Sequence, residues 1–136
     1  MTTSDHQAAQ AAAEPLPVSI LSQRSYLIAS IHTALDDGQL TRFQRDLIDR
    51  IGAQRARGVI IDVAALDVLD SFASRTLRDI ARMSRLRGAQ TVIVGIAPEL
   101  ALTMVRLGLH LDLPTALDLE EGLAYLASRT DTPATP

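Results

Sequence analysis

The 136-residue chain is 47% hydrophobic and 21% charged, with a net charge of −3 at pH 7, the balance of one folded globular core rather than of a disordered chain or of two full domains. It contains no cysteine and no lysine, which excludes disulfide frameworks, thiolate zinc sites, cysteine nucleophiles and every mechanism built on a lysine amine. His6, His32 and His110 lie too far apart in sequence for metal-ligand spacing, and the 13 basic residues, all arginine, are spread along two segments instead of forming the block that nucleic acid would require.

Residues 1–14 are rich in Ala, Gln and Thr, and Pro15 and Pro17 disfavour helix just downstream. This stretch reads as a disordered tail, and it lacks the basic patch and apolar run of a secretion signal. Val18–Leu21 and Tyr26–Ile31 are β-rich runs separated by a polar break at Ser22–Ser25, which predicts an antiparallel hairpin. Asp36-Asp37-Gly38 ends that section. From Gln39 to Gln54, Leu40, Phe43, Leu47, Ile48 and Ile51 recur at three- and four-residue steps, the signature of an amphipathic helix whose wet side carries Arg42, Arg45, Asp46, Asp49 and Arg50. Val59–Val63, preceded by Gly58, has the form of a buried central strand. The apolar stretch Val59–Leu69, broken by Asp62 and Asp67, is far shorter than the roughly 20 residues that cross a bilayer, so a cytoplasmic protein without a membrane partner is expected.

A second helix is predicted over Phe72–Arg87 and is closed by Gly88. Thr91–Gly95 reads as another buried strand, and Pro98 opens a third helix that runs to Leu107 and stops at Gly108. A short extended piece near Leu113–Ala116 and a last helix from Asp118 to about Ala127 follow, with Asp118 as cap and Glu121 as its reciprocal partner. Residues 130–136 read as a second tail. The order, written ββαβαβα, predicts an α/β domain over 15–129 whose sheet is mostly parallel after an opening antiparallel hairpin, with helices packed on it.

In such a sheet, ligands and partners engage the loops at the carboxyl ends of the parallel strands. Three loops qualify: Leu35–Gly38, Leu66–Ser71 and Gly95–Pro98. The second contains Asp70-Ser71-Phe72, with Ser71 at the start of a helix, where backbone amides lack intrahelical partners. By spacing alone Ser71 is an ordinary helix N-cap. The stretch Gly58–Phe72, however, closely resembles the phosphorylation segment of stand-alone STAS proteins of the RsbS type, scaffolds of the bacterial stressosome. Leu35-Asp36-Asp37, Phe43–Leu47, Gly88–Gly95, Leu107-Gly108-Leu109 and Thr115–Leu123 resemble the same family in the same order. Sporulation-type anti-sigma-factor antagonists are a weaker match, because they tend to carry Asp-Ser-Ser-Gly where this chain has Asp70-Ser71-Phe72-Ala73.

The resemblance implies the STAS fold and a non-enzymatic scaffold and anti-sigma-factor antagonist-like regulator that sequesters a switch serine kinase of the RsbT type. It further implies phosphorylation of Ser71, reversal by a phosphatase, and homo- or hetero-oligomers with sensor paralogues of the RsbR type. No cofactor, metal or catalytic residue is implied. Asp36 and Asp37 are expected to cap and charge the first helix, and with Asp70 to border the surface met by a partner. Phe72, Thr76, Asp79 and Met83 form a stripe beside the core face of the second helix; Phe72 and Met83 either touch a partner or tuck under a neighbouring loop, and Thr76 is a second candidate phosphoacceptor.

Three other functions compete for these residues. Asp62 and Asp67 resemble the acidic cluster of a receiver domain, but receivers rely on a lysine that this chain lacks. A small-ligand or nucleotide-binding STAS module using the three loops is the alternative, although neither glycine-rich phosphate motif is present. No serine, histidine and acid set supports a hydrolase.

Overall fold

The computed structural model describes residues 15–130; the tail expected at 1–14 lies outside the described residues, as does the one expected at 130–136 apart from Thr130, which ends the last helix. Two alternating side-chain patterns organise the middle of the chain. In Val59–Ile61 and Val92–Val94 successive apolar residues are buried on opposite faces, because a strand turns its side chains over every residue and both faces here are covered.

Five strands form one sheet in the order β1 (Val18–Gln23), β2 (Tyr26–Ile31), β3 (Gly58–Asp62), β4 (Gln90–Val94) and β5 (Thr115–Ala116). The β1–β2 pair is antiparallel with Val18 opposite Ile31 and Gln23 opposite Tyr26. The connecting loop is therefore only Arg24-Ser25, with Arg24 at φ 58°. That tight turn extends β1 through Ser22 and Gln23, two residues past the apolar run that marks it in the sequence. All later pairs are parallel, as predicted.

Helices α1 (Asp37–Gln54), α2 (Ser71–Leu86) and α3 (Pro98–Leu107) lie against one face and α4 (Leu119–Thr130) against the other. Phe43, Leu47 and Ile51 of α1, Leu77 and Ile80 of α2, and Leu100 and Met104 of α3 are buried with Leu27, Ala29, Val59, Ile61 and Ile93. The opposite face closes Leu126 over Tyr26, Ile28, Ile60, Val92 and Val94. The short Thr115–Ala116 strand and its helix extend the order to ββαβαβαβα. α4 runs on to Thr130, three residues beyond the expected end, because the Thr130 hydroxyl bonds the Leu126 carbonyl and the Tyr26 hydroxyl, and Arg57 donates to the Thr130 carbonyl. No helix among the described residues is long and apolar enough to cross a membrane.

Candidate functional site

Parallel registration sets the site. Ser30, Asp62 and Val94 stand side by side at the ends of β2, β3 and β4, so the three loops that follow emerge along one edge of the sheet. The first ends at Asp36, whose carboxylate accepts the Gln39 amide at 2.7 Å while the Gln39 side chain accepts the Asp36 amide at 2.9 Å. This reciprocal box starts α1, and Asp37 adds an acid to its first turn. Both aspartates are exposed.

The third loop is held by a close approach. Gly95 has φ +84°, and a Cβ there would stand 2.9 Å from the Ala64 Cβ and 3.0 Å from an Asp62 carboxylate oxygen. That oxygen accepts the Ala64 amide at 2.9 Å. Asp62 thus closes the first turn of the β3–α2 loop on itself, a structural use of the acid, and the β4–α3 loop passes close enough beside it that only glycine fits at position 95.

The β3–α2 loop then delivers Asp70 and Ser71. Asp70, extended at φ −81° and ψ −177°, is the N-cap of α2: its carboxylate accepts the Ala73 amide at 2.8 Å and its carbonyl the Ser74 amide at 2.9 Å. This corrects the reading of Ser71 as the cap. Two good capping residues stand next to one another, and the one with extended backbone takes the role. Ser71 is the first helical residue and is exposed. Its hydroxyl is therefore presented at a helix start whose cap is supplied by its neighbour.

Behind Ser71, Ile31, Leu35, Leu40, Leu66, Val68 and Leu69 join Asp70, Ala73 and Leu77 around a pocket of about 40 Å³. A space of that size admits little more than a water molecule, so it offers no berth for a nucleotide.

The stripe on α2 divides. Phe72 is half-buried and outside both core clusters, and Asp79 is exposed. Met83 packs against the larger core and its sulfur accepts from the Gln44 side-chain amide at 3.1 Å across the α1–α2 groove. Thr76 is buried, with its hydroxyl donated to the Phe72 carbonyl at 2.8 Å; α1 lies beside α2 and covers this side of it, so the second candidate phosphoacceptor is not presented at the surface. Asp36, Asp37, Asp70 and Ser71 thus share the loop edge, whereas Met83 lies three turns along α2. The sequence missed the Asp62–Gly95 contact, for which an acid closing one strand and a glycine after the next was the available signal.

The STAS domain model matches residues 18–122, from the first strand into the last helix. The chain belongs to the STAS domain family. Among solved structures, this STAS domain is similar to a serine-to-glutamate variant of RsbS from Moorella thermoacetica, at 34% identity and a TM-score of 0.72 over 85% of this chain and 98% of that one. It is similar also to a chain from a structure described as the molecular architecture of the stressosome, a signal integration and transduction hub, at 31% identity and a TM-score of 0.66 over 84% of this chain and 100% of that one. The RsbT co-antagonist protein RsbRA of Bacillus subtilis (strain 168) is 29% identical over 98 residues, 71% of this chain and 36% of that protein. The STAS domain described here spans about a third of the length of the curated relatives it matches.

Proposed function

We propose that this STAS domain is a non-enzymatic scaffold of the stressosome type, which holds a serine switch kinase of the RsbT type and releases it according to the phosphorylation of Ser71. Its companions in the assembly are RsbR-type paralogues carrying STAS domains of their own, a phosphatase resets Ser71, and the complex works in the bacterial cytoplasm. The supporting observation is the division of labour at the start of α2: Asp70 supplies the cap bond while the Ser71 hydroxyl is exposed. A phosphate can be added there without taking the cap from the helix.

Phosphate would bring about 1.5 to 2 negative charges to this edge. The helix start favours an anion by roughly 0.3–1 kcal/mol, while the exposed carboxylates of Asp36, Asp37 and Asp70 on the same edge oppose it. Because these terms offset each other, the modification changes the charge presented to a partner more than it changes the fold. Asp36, Asp37, Asp70, Phe72 and Asp79 form the face on which that change is read.

The test is intact-mass spectrometry with fragment mapping after incubation with ATP and a candidate switch kinase, beside Ser71→Ala. One phosphate on Ser71, absent from the variant, is expected. A phosphate placed elsewhere, or none with any kinase that binds the domain, would refute the reading.

A further inference from the structure

The exposed face of α2 carries a line of positive charge with Ser71 at its head. At 100° per residue, Ser71, Arg75, Arg78, Arg82 and Arg85 fall within about 40° of one line along the helix. Arg75, Arg82 and Arg85 are exposed, and among the described residues none of the three forms an ion pair. Arg78 is different: it is partly covered and lies 3.6 Å from the Asp112 carboxylate. Asp79, one turn beyond Arg75, is not paired with it.

We infer that Arg75 is the receptor, in cis, for a phosphate carried by Ser71, and that the remaining arginines of the line are left to face outward. The inference rests on the reading of Ser71 as the phosphoacceptor. Arg75 is four residues on, the spacing at which helical side chains meet, and stands about 6 Å up the axis; Arg78 is about 10 Å up and Arg82 about 16 Å, too far for a side chain anchored in the first turn to reach directly. A guanidinium fork matches phosphate oxygens better than any other side chain. The other charged groups around position 71 are the carboxylates of Asp36 and Asp37 at the start of α1, of Asp67 in the preceding loop, of the cap Asp70 and of Asp79 on α2, and the guanidinium of Arg78, which is turned to Asp112. The carboxylates repel a phosphate, so Arg75 is the nearest cation along α2 that opposes them. On phosphorylation the line loses its leading positive charge, and the phosphate lies along the helix instead of projecting from its end.

The experiment places phosphoserine at position 71 during synthesis, so that no kinase is required, and follows its ³¹P chemical shift against pH at low salt. Arg75 favours the dianion and therefore lowers the second phosphate pKa. Arg75→Gln is expected to raise that pKa by about 0.4 unit, with Arg82→Gln raising it by less than half as much. Equal shifts from the two variants, or none from Arg75→Gln, would overturn the pairing, since the first means a diffuse field and the second no contact. Failure of the kinase test leaves this result standing as a property of the helix, and a null result here leaves the kinase test untouched.

Discussion

Replacing Asp70 and Ser71 in turn separates a structural serine from a regulated one. The Asp70→Ala change removes the 2.8 Å bond to the Ala73 amide, and loss of a capping aspartate destabilises by about 1 kcal/mol. The first turn of α2 holds no acid that could substitute. Asp70→Asn keeps an acceptor but discards the charge that faces the helix dipole, which leaves a loss of roughly 0.3–1 kcal/mol. Ser71→Ala removes an exposed hydroxyl and should stay within about 0.5 kcal/mol of the parent. In a domain of this size 1 kcal/mol moves the midpoint by about 4 °C. Calorimetric melting at fixed pH and low salt should therefore rank the variants with Asp70→Ala about 4 °C down, Asp70→Asn between, and Ser71→Ala within about 2 °C of the parent. If Ser71→Ala falls as far as Asp70→Ala, the serine is the cap in solution, and modifying it would fray α2 instead of altering a surface.

Three further outcomes follow from the packing. Gly95→Ala forces a left-handed residue and a clash with Ala64 and Asp62, and should cost about 2 kcal/mol or more in urea unfolding; with Asp62→Ala added, the double change should cost less than the sum of the singles. Thr91→Val replaces a buried hydroxyl that has no hydrogen-bond partner among the described residues with an isosteric methyl, and should raise the urea midpoint by the equivalent of about 1 kcal/mol. Met83→Ser should lower the melting midpoint by several degrees because Met83 packs on the core, whereas Phe72→Ser, outside both clusters, should leave the midpoint nearly unchanged and weaken capture of an RsbT-type kinase in a pull-down.

The central strands and the third helix were legible because local pattern and tertiary environment agree there. Val59–Ile61 and Val92–Val94 are covered on both faces, and Pro98 and Gly108 mark the two ends of α3 in covalent terms. Asp36 and Asp118 announce their helices, although Glu121 accepts from the Leu117 amide and not from the cap itself. The less legible features depend on partners distant in the chain. Thr76 looks exposed in α2 alone and is buried by α1; α4 reaches Thr130 through a contact with Tyr26, 104 residues away. At the site, Asp70-Ser71 offers two adjacent capping side chains, and only the backbone angle of Asp70 decides between them. The positions of Asp36, Asp37 and Ser71 on one edge follow from parallel pairing, which the sequence predicted, while the arginine line on α2 emerges only when its charges are placed at 100° per residue and not counted along the segment.

Strand order in this sheet is the same as chain order, from β1 to β5. No strand has to be inserted between two that are already paired. As the polypeptide leaves the ribosome, each new strand therefore meets an edge that was completed just before it, and growth is by addition at one side. Only the β1–β2 hairpin is a short-range pairing; the parallel pairs join residues 32 apart, as for Tyr26 with Gly58 and Gly58 with Gln90, so loop closure must come before each of them forms, and until it does the last completed edge stays open to another nascent chain.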